Sequence, residues 1–502
     1  MPANNEMSRP ELLLGPNPLI EAIPPFVPFK DLMRHLRHYP LDHAPDWRQV
    51  PPDYREALLE CATQHFAPYQ PILELAAGIQ LLLRRALSMG NPLRAEVRKR
   101  ANQVGVANSV HDFRHVTHVD GGGGMVDGIT GLGKTNAVQR ALAVFAPNQV
   151  IEHLSCPQAG WARMMQCVYL YIDFPSNGTR GALLKRILMG LDEQLGTNYS
   201  EQNARKTNLD ALLVVASKLL VLHRVALLVI DEKQDASFNQ NPLQYEFVLF
   251  YLSLMNLGIS VLLIGNPLAF THLQTFSQVM RRFSVGGMTS LEPASHQDEK
   301  WWCEGFVPRM RKFCVVEGCA VDEQLRARLE FEASAGTPGL FQRYFVETQR
   351  AALRRAALQR GTDSAEMTVE DFVAARKSER YKELQRIATS IRSGSEEYDD
   401  IPQRQKAFGP SMQKGEIPES PAGTGQPPPA KPMRDVVGGL LRNYKAAQTR
   451  EANLLAKRIA AMQSYSDDDL RMLGVSHDLV EEAQKIGDTV PAAKKRKKGG
   501  AV

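Results

Sequence analysis

The segment Gly128-Ile129-Thr130-Gly131-Leu132-Gly133-Lys134-Thr135 fits the spacing G-x-x-x-x-G-K-[ST] at every fixed position. The glycines let the backbone turn tightly, so that successive N–H groups point at one anion. The lysine ammonium then reaches the outer phosphates of a nucleotide, and the threonine hydroxyl can ligate Mg2+. A helix from Asn136 to Val144 should follow, its N-terminal dipole adding to the attraction for phosphate. The phosphate-contacting set predicted here is Gly128, Gly131, Leu132, Gly133, Lys134, Thr135 and Asn136.

A second motif lies about a hundred residues on. Arg224-Val225-Ala226-Leu227-Leu228-Val229-Ile230-Asp231-Glu232 is an apolar run that ends in two carboxylates. A short unbroken apolar run bounded by polar residues reads as a strand buried on both faces. Asp231 at its tip would hold Mg2+ together with Thr135, and Glu232 would polarise the attacking water. ATP and Mg2+ are therefore the implied ligands.

Composition narrows the field. The chain has 502 residues, 43% hydrophobic and 23% charged, an ordinary globular balance with room for two or three domains. A net charge of +5 is compatible with nucleic acid without requiring it. No apolar stretch approaches the ~18 residues of a membrane span. The opening MPANNEMSRP has no apolar signal region, so a cytoplasmic chain with no membrane partner is expected. Cys61, Cys156, Cys167, Cys303, Cys314 and Cys319 form no C-x-x-C pair and read as free thiols. Cys314 and Cys319 read as small buried hydrophobes, and His111, His115 and His118 as surface or packing histidines.

Residues 1–117 should be mostly helical, with apolar residues at helical spacing along Asp53–His65 and Pro71–Met89. Proline excludes a continuous helix in PNPLIEAIPPFVP, from Pro16 to Pro28. That stretch reads as an extended apolar arm, packed either on its own domain or on a partner. Residues 118–292 carry apolar runs at Cys167–Asp173, Val225–Asp231 and Ser260–Asn266, separated by helical stretches at Gly181–Leu195 and Leu209–His223. Strands alternating with helices predict an α/β fold, a P-loop NTPase core with a parallel, doubly wound sheet. Gly121–Gly124 stand where its first strand should begin, and four glycines weaken a strand, so a short or mobile first strand is expected.

Residues 293–394 should form a helical lid, with helices at Asp322–Ser334, Pro338–Leu358 and Thr368–Arg392, and Thr368 with Asp371 marking a helix start. Residues 395–434 have the composition of a disordered linker. Residues 435–502 read as a flexible interaction segment that ends in the basic tail Lys494-Lys495-Arg496-Lys497-Lys498.

Several segments together resemble one family. They are NPLIEAIPP at 17–25, VYLYIDFPSNGT at 168–179, LDEQLGTNY at 191–199, LLVIDEKQ at 227–234, GISVLLIGNP at 258–267 and DDLR ending at Arg471. The chain resembles the TnsC-type AAA+ ATPases that regulate heteromeric bacterial transposons, and more distantly their TniB relatives. The likeness runs to about residue 350 and is patchy beyond. Lys233 departs from it, standing where the family commonly carries an apolar residue.

The resemblance implies an ATP-dependent ring or filament, hexameric or heptameric, around duplex DNA at the bacterial nucleoid. Such an assembly bridges a TnsD- or TniQ-like target selector, through the N-terminal region, to a TnsA- and TnsB-like transposase, through the C-terminal segment. It implies that Asn266 orients the attacking water, that Arg281 and Arg282 supply an arginine finger to a neighbouring subunit, and that Arg343, in GTPGLFQRYF, senses nucleotide. DNA contact would be to phosphates, with Arg180, Lys185 and Arg186 as candidates and Arg98-Lys99-Arg100 as a second cluster. The residues themselves leave two other readings open. One is a different P-loop machine, such as a helicase loader or signalling ATPase; the other is a scaffold whose nucleotide site is structural.

Overall fold

The computed structural model describes residues 9–394, apart from 118, 120, 177, 234–243, 271–276 and 359–363. His118, the linker, the DDLR segment and the basic tail thus lie outside the described residues. The elements used below run in the order α1 (Pro18–Glu21), α2 (Gln70–Met89), α3 (Ala95–Val106), β1 (Gly123–Gly128), α4 (Lys134–Phe145), β2 (Tyr169–Asp173), α5 (Arg180–Leu195), α6 (Leu209–Leu222), β3 (Leu227–Lys233), α7 (Gln244–Asn256), β4 (Ser260–Gly265), α8 (Ser277–Phe283), β5 (Met288–Leu291), α9 (Glu323–Ser334), α10 (Pro338–Leu358), α11 (Val369–Lys377) and α12 (Lys382–Ser393).

The five strands form one parallel sheet in the order β2-β3-β4-β1-β5. Alternate residues of each strand enter opposite cores. Val126, Leu227, Val229, Leu262 and Ile264 pack with α2 and α4, through residues such as Ile79, Leu83, Val138 and Leu142. Met125, Leu170, Leu228, Ile230 and Leu263 pack with α5, α6, α7 and α8, through Leu184, Ile187, Leu220, Tyr251 and Phe283. Both faces are dry, which is why the strands read as unbroken apolar runs. The expected α/β, doubly wound layout is present. One covering helix, α2, comes from the N-terminal region.

The arm packs on its own domain. Leu19, Ile20, Ile23 and Val27 are buried in the core that α2 organises. Its residues are not all extended: Asn17 accepts from the Leu19 N–H at 3.1 Å and caps the single turn α1. Polar groups of α2 fix the rest. Gln80 exchanges two hydrogen bonds with the Val27 backbone at 2.9 and 2.8 Å, Asn17 Nδ2 donates to Leu87 O at 3.1 Å, and Arg84 pairs with Glu11 at 2.8 Å.

Several expectations need correction. The first strand is neither short nor loosely placed: β1 has six residues, all buried, between β4 and β5. The glycines explain this. A Cβ on Gly121 would overlap the Met255 carbonyl, one on Gly122 would come within 2.6 Å of Val285 Cγ1, and one on Gly123 within 2.7 Å of Met255 Cε. They admit α7 and the segment after α8 to contact with the strand itself. Asp53–His65 is one α-turn, Pro52–Arg55, followed by a 3-10 helix, Glu56–Gln64. The Thr368–Arg392 helix is two, α11 and α12, and Thr368 forms the capping box with Asp371. Residues 293–394, expected as a helical lid, are not wholly helical, since Gly318–Cys319 pairs with Glu366–Met367. His111 and His115 lie on a 3-10 helix, and among the described residues no three histidine, cysteine, aspartate or glutamate side chains gather as metal ligands. The six cysteines are free thiols as expected, but Cys314 and Cys319 are half-buried and not fully buried.

Candidate nucleotide-binding site

The phosphate loop leaves β1 at Gly128 and enters α4 at Lys134. Gly131 and Gly133 adopt φ of 90° and 80°, a left-handed region that costs other residues ~1–2 kcal/mol. Gly133 caps α4, so the unpaired N–H groups and dipole of that helix's first turn face the loop.

Two loop carbonyls are claimed from outside. The Gly339 N–H, in the first turn of α10, donates to Gly131 O at 2.8 Å. The Tyr69 hydroxyl donates to Leu132 O at 3.2 Å. In a planar trans peptide the next N–H points opposite to the C=O. The N–H groups of Leu132 and Gly133 therefore turn away from these donors and toward the loop's other side. Lys134 Nζ donates to Gly128 O and Ile129 O at 2.7 and 3.0 Å, which keeps the ammonium against the loop.

The carboxylate partner stands across the sheet end. Asp231, 3% exposed, accepts from Thr135 Oγ1 at 2.8 Å and from the Tyr171 hydroxyl. Burial, and then this hydrogen bond, push the Tyr171 phenol well above its usual range, so it stays a donor. Register along β3 and β4 shifts between Ile230 and Lys233: three steps on β3 match two on β4, from Leu263 to Gly265. One extra residue thus lies in the stretch that carries Asp231 and Glu232, a place where bulges re-aim side chains. Glu232 follows Asp231 on this strand. Asn266 is buried at the C-terminal tip of β4, the strand between β3 and β1.

These groups fit Mg2+ and ATP. A hydroxyl and a carboxylate at hydrogen-bonding distance offer hard oxygen ligands, and the loop offers N–H groups, a helix N-terminus and an ammonium. Thr135 and Asp231 would hold the metal, and Gly131 to Asn136 the phosphates. Bound there, the metal neutralises charge on the phosphate oxygens.

Two residues of this site were not anticipated. Tyr171 sits inside an apolar run that gave no sign of a polar role. Asp127, immediately before the loop, is buried, with Oδ1 unpaired. Burial holds its carboxyl above the usual range, against the pull of Ser290 and Lys134. A lone acid within a glycine-rich strand was the available signal.

Other candidates fall elsewhere. Arg281, exposed, and Arg282, half-buried, lie in the last turn of α8, whose Phe283 packs beside Gly123 at the start of β1. That is one strand length, ~16 Å, from Gly128 of the same chain. Arg180, Lys185 and Arg186 lie on α5; Lys185 is exposed, whereas Arg186 pairs with Asp173 at 3.7 Å and Glu193 at 3.1 Å. Arg343 is exposed on α10 and lines a cavity of about 270 Å³ with Glu60, Gln342, Arg350 and Arg380. Arg98, Lys99 and Arg100 do not form one exposed patch. Arg98 donates to Pro92 O and Leu93 O, and Arg100 is buried.

Residues 118–273 match the AAA domain family. No curated protein matches the chain. Among solved structures, the Walker-type ATPase PABY2304 of Pyrococcus abyssi is similar at 14% identity, over 59% of this chain and 77% of that one, with a TM-score of 0.29. The matched span runs from before β1 to beyond β4 and contains the phosphate loop, Asp231, Glu232 and Asn266. The loop, Asp231 and Glu232 all lie within that span, so residues 118–273 carry the parts of a P-loop ATPase domain of the AAA type. No described helix is long and apolar enough to cross a membrane.

Proposed function

We propose that this chain is an ATP-dependent, DNA-binding regulator of DNA transposition. It assembles on duplex target DNA, bridges a TnsD- or TniQ-like target selector to a TnsA- and TnsB-like transposase, and hydrolyses ATP. The observation that carries the ATP half is the Thr135–Asp231 hydrogen bond, which joins the phosphate loop to the acid-bearing strand. On this reading Glu232 polarises the attacking water and Asn266 orients it.

The transposition half rests on the resembling segments, above all NPLIEAIPP and LDEQLGTNY, which are not general features of phosphate-loop proteins. The position of Arg281 and Arg282, a strand length from this chain's own loop, favours action on a neighbouring copy's nucleotide, and hence an oligomer. A regulator that acts at many sites contacts phosphates and not bases; exposed Lys185 suits that role, with Arg186 and Arg180 beside it.

Glu232→Gln tests the reading. The variant should bind ATP, hydrolyse it at least about a hundredfold more slowly, and remain assembled on duplex DNA. Neutralising Lys185 and Arg186 together should weaken duplex binding and flatten its dependence on salt. Hydrolysis in a protein that binds no duplex at any salt concentration would favour a helicase loader or signalling ATPase instead.

A further inference from the structure

At the opposite end of the sheet from the phosphate loop, a cavity of about 40 Å³ lies where β3 and β4 begin. Its walls include Ala86 of α2, Leu220 of α6 and Gly258, and it receives two cations, Arg100 of α3 and Arg224. Arg100 is only 7% exposed, and Arg224 is half-buried. Every other deeply buried arginine with a charge nearby is answered: Arg55 by Glu317, Arg84 by Glu11, Arg350 by Glu56, Glu60 and Glu347. Among the described residues, neither Arg100 nor Arg224 has a hydrogen-bond acceptor or a carboxylate within ion-pair distance. The acid that acts on Arg100 is Glu96, exposed one turn earlier on α3 and not in contact.

Two like charges side by side in a partly dry site are unfavourable unless an anion joins them. We propose that Arg100 and Arg224 form a second anion site, distinct from the nucleotide loop, that takes a phosphate-sized oxyanion. The cavity has the volume of a few water molecules, which suits such a group. Two guanidiniums supply the forked donors that phosphate geometry accepts. Gly258 (φ +88°) leaves room for Arg100: a Cβ there would stand 3.3 Å from Nη2. Burial and the positive field of Arg100 pull the Arg224 guanidinium down to about 10, the direction expected of a cation that lacks its counter-charge. Ala226, which lines the cavity just before β3, is five positions before Asp231, so the two sites are separated by ~16 Å along the strand.

The test uses the full chain with the phosphate loop filled by saturating Mg·ADP. Inorganic phosphate should then raise the unfolding temperature, while chloride at the same ionic strength should not. Arg100→Gln should abolish that rise, and Arg224→Lys, which keeps the charge and loses the fork, should weaken phosphate at least about tenfold. Arg100→Met gives a crossed signature: as stable as the parent or more so without phosphate, and less stable than the parent with it. AMP identifies the source. Competition by AMP would mean that a larger ligand presents its phosphate here, and inertness of AMP that the anion is free. An equal phosphate response in parent and Arg100→Gln, or no response in the parent beyond that to chloride, would overturn the site.

Discussion

Two glycine-rich stretches stand within thirteen positions of each other, and they are glycine for opposite reasons. At Gly121–Gly123 there is no room: neighbouring backbone and side chains of Met255, Val285 and Phe283 occupy the space a Cβ would need. At Gly133 there is open space, with nothing within 4 Å, but the backbone sits at φ +80°. The first stretch is a tertiary requirement, set by residues more than a hundred positions away. The second is a local one, set by the turn that gathers N–H groups around an anion. Gly128 belongs to both, with φ +150° and a would-be Cβ 2.6 Å from Leu291 O.

Single alanine substitutions separate the two kinds. Gly121→Ala should be the most damaging, because its Cβ meets backbone that cannot rotate away; a loss of about 3 kcal/mol or more is expected by thermal or denaturant unfolding. Gly133→Ala should cost only ~1–2 kcal/mol in stability, while ADP affinity falls because the loop N–H groups are re-aimed. Gly124→Ala should be mildest, under ~1 kcal/mol, because its closest neighbour is the end of a flexible side chain, Leu262 Cδ1 at 3.1 Å. If Gly133→Ala proved the most destabilising and Gly121→Ala neutral, the distinction between space and conformation would be wrong.

The same division explains what could be read in advance. The phosphate loop, the strand ending in Asp231 and the alternation of strands with helices are local patterns, and they led to the parallel sheet. Non-local facts were silent. The glycine run looked like a weak strand because its partners, Met255 and Val285, are far away in sequence. The arm of Pro16–Pro28 was ambiguous because its anchors, Gln80 and Arg84, are ordinary polar residues of an amphipathic helix until the fold buries them. Arg100 read as part of a basic surface run, yet it turns inward. Tyr171 was hidden because a tyrosine in a strand usually packs, and the partner of its hydroxyl, Asp231, lies 60 residues later on the neighbouring strand.

The site also unites regions that the sequence kept apart. The loop's outer carbonyls are held by Tyr69, from before the core, and Gly339, from beyond it. We propose that nucleotide occupancy is therefore felt both by the N-terminal region, through Tyr69, and by residues 293–394, through Gly339.

The most direct test of the central proposal is electron microscopy of the purified protein with duplex DNA, in a non-hydrolysable ATP analogue, in ADP and without nucleotide. Rings or filaments on DNA in the ATP analogue alone are predicted. Particles that ignore both DNA and nucleotide would contradict the proposal and leave an AAA+ P-loop ATPase with some other task.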